Sequence, residues 1–127
     1  MADRVASLPP NQSSPRWPPR TFAFGPFKLQ PERQSLLKHG RPVRIGGRAL
    51  DLLTALVQRP GDLISKSELL SFAWPAIFVD EANLKVNIAT LRRLLDEDAD
   101  APRYIATVVG RGYRFIAAVH ATTLTER

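Results

Sequence analysis

Arg111 stands between two glycines and between two β-rich runs, in a stretch that reads Ile-Ala-Thr-Val-Val-Gly-Arg-Gly-Tyr-Arg-Phe-Ile-Ala from Ile105 to Ala117. Glycine reaches positive φ without a Cβ penalty, so Gly110 and Gly112 both suit a tight hairpin turn. Such a turn would project the Arg111 guanidinium from the ribbon's end with nothing behind it. A planar guanidinium at a narrow tip can enter a groove or lie along phosphates. Upstream, residues 80–95 hold a second set of groups able to read a surface. With residues placed about 100° apart, Leu84, Ile88, Leu91 and Leu95 share one stripe that must face a core. The opposite side carries Ala82, Asn83, Val86, Ala89, Thr90 and Arg93, with Lys85 and Arg92 along one border and Asn87 along the other. That face holds no acid, and its side chains are short enough for close approach. Asn, Thr and Arg can bond base edges in a major groove, Val86 or an alanine can touch a thymine methyl, and the basic border can hold the phosphate walls. The helix alone would serve equally well as a protein-contact surface. Joined to the Gly-Arg-Gly hairpin it reads as a sequence-specific reader of double-stranded DNA.

Composition points the same way. Eighteen Lys and Arg against twelve Asp and Glu give a net charge of +6 and a pI near 10.5, a potential that attracts polyanions. The 127 residues and 44% hydrophobic content suit a single core with tails. The absence of cysteine excludes disulfides, thiolate metal sites and cysteine nucleophiles, and is compatible with the cytoplasm. His39 and His120 are far apart and near predicted turns, as solvated side chains are. No Ser/His/Asp set in a recognisable context, phosphate loop or carboxylate-histidine metal spacing is present, so no enzyme, metal, cofactor or small-molecule substrate is expected. Phe22, Phe24, Phe27 and Phe115 read as core and not as an exposed stacking ladder, which disfavours single-strand or RNA binding. No apolar run nears the ~18 residues of a membrane span, and a secretory signal is not apparent, so a cytoplasmic location is expected.

Pro9, Pro10, Pro15, Pro18 and Pro19 mark residues 1–20 as a disordered tail. Four short strands follow, at Thr21–Phe24, Phe27–Gln30, Ser35–Lys38 and Pro42–Ile45, in an antiparallel meander. After Gly46-Gly47 the period lengthens, with Leu50, Leu53, Leu56 and Val57 on one side of a helix that Pro60-Gly61 ends. Ser65-Lys66-Ser67-Glu68 fits a capping box that opens a second helix running to Pro75. The linking stretch from Pro75 to Val79 is apolar for a loop, and packing under the domain is its simplest account. Asp80 and Glu81 suit the positive start of the third helix. The acids Asp96, Glu97, Asp98 and Asp100 that close it should face away from nucleic acid.

In this order the elements resemble the winged-helix DNA-binding domain of the OmpR/PhoB type, the output module of bacterial response regulators and of related one-component activators. The residues that carry the resemblance are Leu50-Asp51-Leu52-Leu53, the segment from Leu63 to Leu70 ending at Trp74, the helix from Asn83 to Leu95, and Thr107-Val108-Val109-Gly110-Arg111-Gly112-Tyr113-Arg114-Phe115. The resemblance implies an α+β fold with an N-terminal four-stranded antiparallel sheet, a three-helix core and a C-terminal β-hairpin wing. The domain is expected over residues 21–119, with residues 120–127 a short tail. The third helix, residues 80–95, would lie in the major groove, and the wing, residues 105–117, would meet the minor groove or backbone, with protomers in tandem on repeated sites. By position, Asn83, Lys85, Ala89 and Thr90 lie where the family touches bases or nearby phosphates. Trp74, Asn87, Arg92 and Tyr113 fall at backbone-contact positions, and Thr107 and Arg111 belong to the wing. Ala82, Ala89 and Thr90 replace arginines of some members, and Val109 replaces a common wing arginine, which leaves Arg111 as its substitute. Ile77 and Phe78 lie in the loop with which the family contacts RNA polymerase. Control by phosphorelay or by a one-component sensor would then lie outside this stretch. The alternative is a winged helix used only for protein contact, with polymerase or a partner regulator.

Overall fold

The alternation of Phe22, Phe24, Phe27, Leu29 and Leu36 with more accessible neighbours, the exposed Lys28 among them, makes a half-buried meander with its apolar face inward. In the computed structural model, which describes residues 20–97 and 101–123, these residues form β1 (Arg20–Phe24), β2 (Phe27–Gln30) and β3 (Ser35–Lys38). All but the last residue of the expected N-terminal tail, together with Asp98 and Asp100, lies outside the described residues. The strands pair antiparallel with Phe24 opposite Phe27 and Leu29 opposite Leu36.

Two strand expectations need correction. The fourth strand, β4, is only Arg41–Pro42, where the sequence suggests Pro42–Ile45. Its register sets Leu37 opposite Pro42, which would bring Ile45 to Gln34, a residue with φ 50° already turning toward β2. The ladder has no strand left to follow, and Val43 and Ile45 instead pack on the core. The sheet also has five strands and not four, because His120–Thr123, expected as tail, add a strand that pairs with β1 from Ala23↔His120 to Arg20↔Thr123. A four-residue run without apolar alternation gives little sign of this, since the backbone of β1 supplies the template.

Helix α1 (Gly47–Val57) is the centre of the domain. Leu50, Leu52, Leu53, Leu56 and Val57 are buried, and the buried hydroxyl of Thr54 donates to the Leu50 carbonyl at 2.8 Å. Strand β5 (Leu63–Ser65), which no sequence pattern foretells, leads directly into α2 (Lys66–Ala73). Ser65 caps α2 by accepting from the Glu68 amide at 3.1 Å. The reciprocal half of the capping box does not form: the Glu68 carboxylate takes Arg59 at 3.1 Å. Helix α3 (Glu81–Leu94) buries Leu84, Ile88 and Leu91, with Leu95 at its C-cap, so the apolar stripe does face the core. The wing strands β6 (Ile105–Val108) and β7 (Gly112–Phe115) form a hairpin, and β5 pairs on the outer side of β7. The last strand of the first sheet, His120–Thr123, is β8. Phe24, Phe27, Tyr104 and Phe115 bridge the two sheets with ring centroids between 5.1 and 6.2 Å, among them the edge-on contact of Phe24 with Phe115 at 5.1 Å.

Candidate nucleic-acid interface

The inward stripe of α3 leaves Asn83, Lys85, Val86, Ala89 and Arg93 exposed and Asn87 and Thr90 half exposed. Their polar ends are steadied by the helix itself. Asn87 donates to the Asn83 carbonyl at 2.8 Å, Thr90 to the Val86 carbonyl at 3.1 Å, and Arg93 to the Thr90 hydroxyl at 3.4 Å. An amide has two donors and two acceptor lone pairs, so one backbone bond orients it while leaving capacity for an outside partner. Val86 is 63% exposed on the same face, an apolar group held out in solvent.

The wing turns at Val109-Gly110-Arg111, closed by the Arg111 amide donating to the Val108 carbonyl at 2.9 Å. Only Gly110 of the two glycines has positive φ, at 76°. Gly112 is glycine for another reason: a Cβ there would lie 2.0 Å from the Ile64 carbonyl oxygen across the β5–β7 pair. The expectation that nothing stands behind the tip also fails, since β5 backs β7 and the Lys66 amide donates to the Arg111 carbonyl at 3.2 Å. The Arg111 side chain is exposed on a backbone anchored from below. Between α3 and the wing runs a groove of about 330 Å³, bordered by Lys66, Lys85, Thr107, Gly110 and Tyr113 among others. In the sequence Lys66 shows only as part of a cap. Its place here depends on β5 pairing with β7, which no local pattern announces. Glu81 lies 3.4 Å from its ammonium.

Of the four backbone-contact positions, Asn87 is half exposed and Tyr113 is buried but borders the groove. Trp74 is also mostly buried, with the Arg48 guanidinium 5.6 Å above its ring and donating to the Ala73 carbonyl. Arg92 is largely enclosed and committed: it donates to the Ile105 carbonyl and the Thr107 hydroxyl, both at 2.9 Å. The acids after α3 do not all turn to solvent. Asp96 does, and pairs with Lys38 at 2.6 Å, which holds its carboxyl below the usual range. Glu97 points inward. Its carboxylate accepts from the amides of Arg103, Tyr104 and Ile105 and lies 3.5 Å from the Arg92 Nε. The apolar loop likewise departs from expectation, since Phe78 is 98% and Ile77 55% exposed, and Val79 alone of the three packs on the core.

A helical core under a sheet, with a β hairpin set beside its last helix, defines a winged-helix domain. A family model described as transcriptional regulatory protein, C terminal, matches residues 40–115. The chain is 38% identical over 79 residues to the cholera toxin transcriptional activator of Vibrio cholerae, across 61% of this chain and 27% of that protein. It is 33% identical over 96 residues to the transcriptional activator CadC of Escherichia coli, across 75% of this chain and 19% of that one. The DNA-binding domain of Escherichia coli CadC matches in structure with a TM-score of 0.68 at 30% identity, covering 82% of this chain and 98% of that domain. The DNA-binding domain of Klebsiella pneumoniae RstA, solved in complex with the RstA box, matches with a TM-score of 0.67 at 26% identity, covering 76% and 96%. The chain belongs to the transcriptional regulatory protein C-terminal family, the OmpR/PhoB type, and is a winged-helix DNA-binding domain of transcription regulation. It spans about a quarter or less of the length of the curated relatives it matches.

Proposed function

We propose that the domain binds double-stranded DNA with sequence preference, α3 lying in the major groove and the β6–β7 hairpin on the adjacent minor groove or backbone. The observation that carries this reading is that Lys85, beside the acid-free exposed face of α3, shares one groove with Lys66 and the wing residues Thr107 to Gly110, with Arg111 exposed at the adjoining tip. Asn83, Lys85, Val86, Ala89, Thr90 and Arg93 are the base-reading set. Trp74, Asn87, Tyr113, Thr107, Lys66 and Arg111 serve the backbone, which supplies most of the affinity. Protomers bind in tandem on a direct repeat, in the cytoplasm and at the nucleoid, as the output part of a phosphorelay or one-component system. Selection of duplexes from a random pool at near-physiological salt tests this. Enrichment of a direct repeat is expected, and a pool that stays random would overturn it.

A protein contact accompanies this function. The exposed Ile77 and Phe78, continuous with Phe72 at 38% exposure, favour docking of RNA polymerase or a partner regulator on the α2–α3 loop.

A further inference from the structure

Glu97 is the acid whose place in the fold is hardest to explain by solubility, because its side chain is fully enclosed. A buried carboxylate persists only where donors and a counter-charge replace water. Here the donors are three successive backbone amides, those of Arg103, Tyr104 and Ile105, at the entry to β6. The counter-charge is Arg92, one turn back on α3, whose Nε lies 3.5 Å away and whose Nη2 reaches past it to the Ile105 carbonyl and the Thr107 hydroxyl. One side chain from the end of the reading helix and one from the turn after it thus grip the first strand of the wing. The Arg92 side chain is only 14% exposed, and both hydrogen bonds it donates, from Nη2, end on the wing.

We infer that Arg92 and Glu97 form a positioning pair that sets the wing against α3, so that Arg92 serves duplex binding through the wing and not by touching phosphate. This rests on the DNA-binding reading and assigns Arg92 a different part within it. A guanidinium held by a carboxylate and two further oxygens has a fixed plane and direction, which an ammonium cannot reproduce. The tip residue Arg111 lies beyond the strand so gripped, and its reach into a groove depends on the strand's angle.

The signs of three substitutions separate the roles. Glu97→Gln removes a negative charge from a protein that binds a polyanion, so long-range electrostatics alone would tighten binding. Positioning weakens it, by about tenfold. Arg92→Lys keeps the charge, and a plain phosphate contact would survive it; positioning again weakens binding by about tenfold. In a background of Arg111→Ala, where the tip no longer contributes, either substitution should cost much less, because the two losses share one route. Additive losses in that cycle, or tighter binding by Glu97→Gln, would overturn the inference.

Should the variants fold poorly, the intact domain still decides. In arginine side-chain spectra titrated with the selected duplex, the Arg92 Nε signal should move little while that of Arg111 moves strongly. A large Arg92 shift matching that of Arg111 would return it to the phosphate. If the unsubstituted domain binds no duplex at all, the DNA-binding reading itself fails, an outcome distinct from either arm.

Discussion

Gly112 lies so close to Ile64 that a Cβ on it would stand 2.0 Å from the Ile64 carbonyl oxygen. The wing and the strand that precedes α2 are therefore one sheet, held at backbone distance, and the hairpin is not a free ribbon. Gly112→Ala must push β7 from β5, at a cost of about 1 to 3 kcal/mol or more. Gly110 has open space around its missing Cβ and only its φ of 76° to protect, so Gly110→Ala should cost less, about 1 kcal/mol. Thermal melting of the two variants checks the order, and equal losses would place both glycines in the turn.

The inward stripe of α3 predicts a core defect on truncation. Leu91 has no exposed surface, and Leu91→Ala should destabilise the domain by about 2 to 5 kcal/mol. A nearly unchanged midpoint in denaturant would mean that the helix is turned the other way.

Base-reading and backbone groups should separate in binding assays. Asn83→Ala or Thr90→Ala is expected to cost about 1 to 3 kcal/mol on the preferred duplex and to flatten the preference among sequences. Lys66→Ala or Arg111→Ala should weaken all duplexes alike, and should lower the slope of log affinity against log salt by about 0.9 for each phosphate no longer neutralised. Electrophoretic shifts across a salt series read both, and the reverse pattern would exchange the roles.

Burial raises the Asp51 carboxyl above the ordinary carboxylate range, against the opposing pull of the Arg48 charge. The folded chain thus holds that proton more tightly than the unfolded one, and stability is lost as pH rises from the ordinary value through the raised one. Asp51→Asn should raise Tm at neutral pH, with the gain fading as pH falls below the ordinary Asp value. The effect is small because Asp51 is half exposed. A gain that persisted unchanged into acid would point to some cause other than titration.

Phe78, almost wholly exposed, adds little to the fold. Phe78→Ser should shift stability by no more than about 0.5 kcal/mol and leave duplex affinity intact. Transcription from a bound promoter in a reconstituted system should fall. Full transcription by that variant would remove the loop from any polymerase contact.

Periodicity sufficed for what is periodic. The stripe of Leu84, Ile88, Leu91 and Leu95 and the alternation through Phe22, Phe24, Phe27 and Leu29 each encode a face, and each face is buried. What stayed hidden depends on partners distant in the chain. Leu63–Ser65 and His120–Thr123 are too short to show a period and become strands because β7 and β1 offer open edges. Lys66 joins the interface, and Gly112 must lack a side chain, only because of that same β5–β7 pairing. Glu97 reads as one of four clustered acids, and nothing local marks it as the one that turns inward to meet three amides and Arg92.

The orientation of α3 and the wing toward duplex is tested most directly by backbone amide shifts of the domain titrated with its selected duplex. The largest changes should fall on Asn83, Val86, Ala89, Thr90 and Arg93 and on residues 109–112, with the outer strands β3 and β4 unmoved. Silence at those positions, with the response centred on another surface, would contradict the account.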